Sequence, residues 1–498
     1  MKKQKPTATG NQSGIRKQGM AGMVIERLFL SVLASFILGA LIKTTDITAT
    51  VSASVFFSPS NLINISVISG LVFILILALL SYGILTSADW IKNTKLLLVI
   101  FASLIITYGF VVLCVRYVSL YSAPVVLAPL LVSALVSKRV GIISAVLLNL
   151  ILFLNFMIVA PAVDMFEASS LILSLTISAI FIITFMSRTA SRINFICVAF
   201  IAMVISFASP VLTVLLSNGG FSAGAMGYAV AYTAVSAVLS FALFMLVLPL
   251  METLFRVATN FRLGEIASLN SPLLKKLSIE APGTFNHCLV VGNLAEQCAA
   301  SIGENAFLAK VCAYYHDVGK IKKPDYFTEN QQGYNPHDDV IPEISVKIIT
   351  DHTSDGPALI RKYRLPDIVE QVAREHHGTM PVSYFYYKAQ RITEDSLTSD
   401  KFSYTDPKPS TKISAIVMIA DTVEAATRAM GLSGFNNSSG ELNQKEFRAF
   451  IRKLIKDKAD SNQFSECPIT FKDLQKIEDT LTSAVPSIYH ARIKYDKK

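Results

Sequence analysis

The densest chemistry in the 498-residue chain is the string Tyr314-Tyr315-His316-Asp317-Val318-Gly319-Lys320. His287, His352, His376, His377 and Asp421 flank it, and six of the seven histidines fall between positions 287 and 377. Imidazoles and carboxylates in such a cluster have the make-up of a divalent-metal site. Neighbours on a helix point roughly 100° apart, so His316 and Asp317 can share one ion only near a helix end or beside a second ion. Gly319 is consistent with a helix ending there. A carboxylate has two oxygens and can bridge two cations. The expected arrangement sets His287, His316, Asp317 and Asp421 around one metal, and His352, His376 and His377 around a second with the other oxygen of Asp317. Two metals about 3.5–4 Å apart activate a bridging water and stabilise both oxygens of an in-line phosphoryl displacement. Imidazole and carboxylate without thiolate suit iron, manganese or zinc better than magnesium. Lys320, one turn after His316, is placed to neutralise a phosphate oxygen.

Each residue also has a plainer reading. His376-His377 before Gly378 fits a helix C-terminus stabilised by the macrodipole. Asp421 follows the apolar run 413–420, where a carboxylate needs compensation by a ligand, a helix start or a salt bridge. His337, in Asn335-Pro336-His337-Asp338, lies in a polar loop and is balanced between substrate contact and a structural place. His490 reads as structural. Taken jointly, the set points to metal.

The elements that position this cluster divide the chain in two. A mean hydropathy of +0.49 is too high for a soluble enzyme of this length. The net charge of +9 belongs to residues 1–250, which carry 14 Lys/Arg against 5 Asp/Glu, whereas residues 251–498 carry 31 of each. A polyanion-binding reading, and with it a nucleic-acid polymer as partner, is therefore rejected. The six cysteines form no Cys-x-x-Cys pair and suggest neither a disulfide framework nor a thiolate zinc site.

Residues 1–23 read as a disordered basic tail. Eight apolar segments follow within 24–250, at 24–42, 62–85, 96–115, 118–136, 140–160, 169–187, 194–217 and 227–250. Most approach the ~20 residues needed to span a bilayer. The segment 118–136 is the weakest, being interrupted by Pro124 and Pro129. Alternating from a cytoplasmic N-terminus, the loops place twelve Lys/Arg inside and two, Lys43 and Arg116, outside. The positive-inside rule then returns the chain to the cytoplasm at residue 250. The spans hold almost no ionisable side chains, and Asn149 and Asn155 are their most polar candidates. That favours anchoring, dimerising or sensing over ion-coupled transport. Residues 251–282 read as a linker, and 283–498 as an all-helical domain. Its helices are expected at 284–302, 306–318, 342–353, 356–363, 366–377, 412–430, 443–460 and 470–484, with long loops at 322–341 and 378–411. The fold class is all-α: a multi-pass transmembrane bundle followed by a cytoplasmic helical domain.

With these residues in view, the second half resembles the HD superfamily of metal-dependent phosphohydrolases, and more narrowly the membrane-bound PgpH-type branch (7TMR-HD family). The likeness rests on Glu280-Ala281-Pro282-Gly283-Thr284, Val291 through Glu296, Ala313 through Lys320 and Glu329-Asn330-Gln331. It continues in Asn335 through Asp338, Glu375 through Thr379, Tyr384-Phe385-Tyr386 and Ala420 through Ala425. It covers about 255–495 densely and the membrane region loosely. The resemblance implies metal ligands at His287, His316, Asp317, His352, His376, His377 and Asp421, catalytic roles for Asp317 and Lys320, and an iron or manganese pair. It also implies hydrolysis of cyclic di-AMP to the linear dinucleotide at a bacterial cytoplasmic membrane. Substrate contacts are expected from His337, Lys320 and Tyr384, and a homodimer through the membrane helices is a further expectation. Two features depart from the family pattern. Only residues 43–61 separate the first two apolar segments, where relatives often carry a large extracellular domain. Asn286 stands where relatives commonly show a second His. The competing readings are hydrolysis of cyclic di-GMP, disfavoured by the missing Gly-Tyr-Pro signature, and a non-catalytic cyclic-dinucleotide receptor.

Overall fold

The structure, a computed structural model, describes residues 10–45, 57–86, 89–158, 165–186, 192–208, 211, 215, 223–392, 398–436 and 442–488. Among them the only regular elements are helices, with two isolated β-bridges. The chain separates into two compact units, Met1–Phe255 and Arg256–Lys498.

Among the described residues of the first unit, five helices are long and apolar enough to cross a membrane: Gly22–Thr44, Pro59–Leu85, Thr94–Tyr117, Lys138–Met157 and Met226–Phe255. Helices Met165–Met186 and Arg192–Ser206 lie between the last two. The stretch 118–136 is not one continuous span. A 3-10 turn at Leu120–Ser122 leads into the nine-residue helix Leu127–Leu135, which is buried almost throughout. The first helix begins at Gly10 and so includes much of the stretch read as a tail, while residues 1–9 lie outside the described residues. The two asparagines tie helices together. Asn149 donates to Thr176 Oγ1 at 2.6 Å, and Asn155 Oδ1 accepts from Thr45 Oγ1 at 2.7 Å.

The second unit packs its longer helices around one apolar core containing Val291, Leu294, Val311, Val372, Ile416 and Leu481. Local signals set the helix ends. Pro282 and Pro342 open Pro282–Ile302 and Pro342–Lys362 in the first turn, where their missing N–H costs nothing. Asn305 caps Ala306–Tyr315 through Leu308 N, and Thr411 caps Lys412–Met430 through Ser414 N. Gly303, at φ 80°, ends the His287 helix in the left-handed conformation that glycine adopts without strain.

Three expectations are corrected here. The segments 342–353 and 356–363 form a single helix that runs through Pro357. The 378–411 loop contains a helix, Ser383–Gln390, and a 3-10 turn, Ser399–Phe402. The Ala306 helix ends at Tyr315, and a 3-10 segment, Val318–Lys322, carries Lys320. That segment presses on the backbone of the His352 helix. A Cβ added at Gly319 would lie 2.1 Å from the His352 carbonyl oxygen, so only glycine permits the approach. His490 lies outside the described residues.

Candidate metal centre

Four helices deliver the histidines to one buried point, and four of the five rings are fixed from behind by a hydrogen bond at Nδ1. His316 Nδ1 donates to the Ala313 carbonyl at 2.7 Å, His352 Nδ1 to Ile349 at 2.5 Å and His376 Nδ1 to Ala373 at 2.9 Å. In each case the acceptor sits three residues earlier, so the Nε2 atom is turned inward. His287 uses a side chain instead, with Nδ1 donating to Glu424 Oε2 at 2.5 Å. Its Nε2 then faces Asp421 Oδ1 at 3.0 Å and Asp317 Oδ2 at 3.6 Å.

Asp317 lies at the middle, 1% exposed. Its Oδ2 is 3.3 Å from His316 Nε2, while Oδ1 is 3.3 Å from His352 Nε2 and 3.5 Å from His376 Nε2. Its two oxygens thus face two sets of imidazoles. Potential donor atoms gather as His287, His316 and Asp317 on one side and as Asp317, His352, His376 and His377 on the other, each set within 4.8 Å. Asp421 joins the first set, 3.7 Å from His316 Nε2. His316 Nε2 and Asp317 Oδ1 are buried without a hydrogen-bond partner among protein atoms. Buried polar atoms are rarely left so, and two inward-facing orphans amid a nitrogen and carboxylate donor set fit a divalent cation.

The two sides differ electrostatically. Burial opposes charge on His287, but Asp421 and Glu424 outweigh it and raise its pKa to about 9. Burial likewise opposes a proton on His316, yet Asp317 holds its pKa well above the ordinary value. Burial lowers His376 to about 4, and burial with neighbouring His376 holds His377 well down. His376 and His377 are therefore neutral near pH 7, as a metal requires, whereas His287 and His316 would release protons on binding one.

Lys320 is not aimed at open space. Its Nζ meets Asp317 Oδ2 at 2.6 Å and Glu329 Oε1 at 3.0 Å, and lies over the Phe327 ring. A cavity of about 640 Å³ opens beside the centre, lined by Lys320, Phe327, His352, His377, Tyr404 and Arg428 among others. Tyr404 stacks on His377 with ring centroids 4.4 Å apart. Neither His337 nor Tyr384 lines this cavity. His337 is 4% exposed, its Nε2 donates to the Tyr326 carbonyl at 2.9 Å and its ring packs on Phe385. It pins two loops together. Tyr384 is exposed on the Ser383–Gln390 helix.

Sequence reasoning missed Glu424, Glu329, Tyr404 and Arg428. Glu424 had a signal, one turn after Asp421 on the same helix face. Orienting partners of ligating histidines typically contribute about 10- to 100-fold to metal affinity. Glu424→Gln is accordingly expected to weaken Mn²⁺ binding by about 10- to 100-fold while leaving helix content unchanged. Equilibrium dialysis alongside circular dichroism checks this, and unaltered affinity would remove Glu424 from the centre.

A helical domain closed around a His-Asp pair in this way is an HD domain, and the HD domain family model matches residues 284–426. A second family model, described as "7TM receptor with intracellular HD hydrolase", matches residues 62–259. Two curated relatives are named cyclic-di-AMP phosphodiesterase PgpH. The one from Bacillus subtilis is 40% identical over 299 residues, covering 60% of this chain and 40% of its own. The one from Listeria monocytogenes is 36% identical over 374 residues, covering 75% and 50%. The chain thus spans half or less of the length of these relatives. A crystal structure of the L. monocytogenes PgpH HD domain in complex with cyclic-di-AMP is 43% identical, covering 45% of this chain and all of that one with a TM-score of 0.40. The chain belongs to the PgpH-type family of membrane proteins with an HD domain.

Proposed function

We propose that the chain is a membrane-anchored, metal-dependent phosphodiesterase that hydrolyses cyclic di-AMP to linear pApA. The observation that carries the reading is Asp317, one buried carboxylate whose two oxygens face two separate groups of imidazoles. The activity and substrate come from the names of the two curated relatives. His287, His316, Asp317 and Asp421 would hold one ion, and Asp317, His352, His376 and His377 the other, iron or manganese in each case. When bound, such a pair supplies a low-pKa water and charge stabilisation for phosphoryl oxygens.

The chain's own residues do the rest. Lys320, ion-paired with Asp317 and Glu329, keeps Asp317 ionised: burial opposes the charge, but His316 and Lys320 outweigh it. Arg428 offers the cavity a guanidinium suited to a phosphate, and Tyr404 and Phe327 offer rings on which a base can stack. The charge pattern of residues 1–250 supports a cytoplasmic position for residues 256–498. The exposed apolar faces of the first two long helices, with Phe29 and Ile74, suit lipid or a second copy of the chain.

The test uses the full chain in nanodiscs, loaded anaerobically with Fe²⁺ or Mn²⁺ and given cyclic di-AMP or cyclic di-GMP. Linear pApA is expected from the first and little product from the second. Turnover of the guanine dinucleotide alone would keep the mechanism and overturn the base assignment. Binding without turnover under either metal would make the protein a receptor.

A further inference from the structure

Arg256 follows directly on Phe255, the last residue of the helix Ala223–Phe255. Its φ of 54° lies in the left-handed region, which an arginine adopts only where its surroundings hold it. The holding contacts converge on one short segment. Arg256 Nε donates to the Leu365 carbonyl at 2.9 Å, one terminal nitrogen meets Glu370 Oε2 at 2.6 Å and the other meets Asp367 Oδ1 at 3.0 Å. The backbone joins in, with Asp367 N donating to the Arg256 carbonyl at 3.0 Å. The planar guanidinium fork meets three acceptors at once, a task that lysine's single ammonium does not reproduce.

Those acceptors sit at or just before the first turn of the helix Asp367–Glu375. The helix is only nine residues long, and its Val369, Val372 and Ala373 are fully buried. His376 caps its far end and bonds back to Ala373, with His377 next in line. A helix this short moves as one piece, so fixing its first turn fixes the imidazoles beyond its last. Glu370 is shared, also meeting Arg361 at 2.5 Å and Arg374 at 3.5 Å. It stays ionised because Arg361 and Arg256 outweigh the burial that opposes its charge.

We propose that Arg256 is a positioning residue: it clamps the chain segment leaving the last long apolar helix to the Asp367–Glu375 helix, and so sets where His376 and His377 stand. The role given to those histidines rests on the proposed function. A displacement of the entering segment would reach the metal-binding pair through this clamp, with no contact to substrate.

The experiment compares the wild-type full chain with Arg256→Gln, both in nanodiscs, by two readouts that need no turnover. Amide hydrogen exchange over 368–378 is expected to speed up by at least about tenfold, while exchange over 288–300 stays within about twofold. Equilibrium dialysis of the metal-free protein against Mn²⁺ is expected to show one of two bound equivalents weakened about tenfold and the other unchanged. Faster exchange with both equivalents intact would make Arg256 a structural anchor only and overturn the proposal. So would no change in either readout. Should Arg256→Gln not fold, Arg256→Lys keeps the charge without the fork and is expected to shift both readouts the same way; wild-type behaviour in that variant overturns the proposal. A wild-type chain that binds no Mn²⁺ would count against the proposed function, and the exchange arm would still decide whether the clamp exists.

Discussion

Asp317→Asn is expected to lower metal-dependent turnover by at least about a thousandfold, or ~4 kcal/mol of transition-state stabilisation. The change is nearly isosteric, so its effect falls on charge and on ligation. Both oxygens of Asp317 are faced by nitrogen atoms, with Lys320, His287 and His316 around Oδ2 and His352 and His376 around Oδ1. An amide presents only one oxygen, so one of the two imidazole sets loses its carboxylate. Among the described residues, Lys320 would be left with Glu329 alone as its ionic partner in a largely buried position. Breaking a buried pair by removing one member commonly costs about 3–5 kcal/mol of stability. The measurement is a pair: product formation from cyclic di-AMP, and thermal unfolding of the chelated protein. Turnover within tenfold of wild type would remove Asp317 from the centre of the chemistry.

Gly319→Ala is expected to cost about 2–4 kcal/mol of stability in the second unit and to reduce turnover with it. The added methyl would stand 2.1 Å from the His352 carbonyl oxygen and 2.7 Å from Gly356 N. Both obstacles are backbone, so neither can swing aside as a long side chain would. Relief requires the 3-10 segment and the His352 helix to separate, which moves Lys320 and His352 together. For a unit of this size the loss corresponds to a melting temperature lower by roughly 5–15 °C. Gly434→Ala is the control, because nothing lies within 4 Å of its would-be Cβ. Equal melting temperatures for the two variants would show that the contact yields easily.

The cluster was legible because six of the seven histidines crowd between positions 287 and 377, with His316-Asp317 and His376-His377 falling where helices end. The all-α character was legible from the helical pattern of the sequence from 283 onward, in which strand-like alternation is scarce. Tertiary contacts hid the rest. Ser354-Asp355-Gly356-Pro357 carries the local marks of a helix break, yet the helix continues through it. Gly319 and Gly356 sit back to back there, so packing between two backbones outweighs the local signal. Lys320 reads as a free cation in sequence, because Glu329, nine residues on, meets it only through the turns between them. The spacing of Glu424 from Asp421 hints at a shared face, but its partner His287 lies 137 positions away and only the fold brings them together. Tyr404 and Phe327 come from segments whose sequence shows only loop character, and folding alone makes them walls.

Asn330 gives that cavity a fixed side. Its Oδ1 accepts from the backbone N–H groups of Gly283 and Thr284 at 2.9 and 3.1 Å, capping the very helix that carries His287. Its neighbour Glu329 accepts from the Thr284 hydroxyl at 2.9 Å and, with Phe327, faces the cavity. Swinging this side outward would strip the helix of its cap and Lys320 of a carboxylate in one motion. The 322–341 stretch is therefore a doorpost and not a door. The rest of the cavity wall includes Tyr404 and, from the Lys412–Met430 helix, Ala425, Arg428 and Ala429.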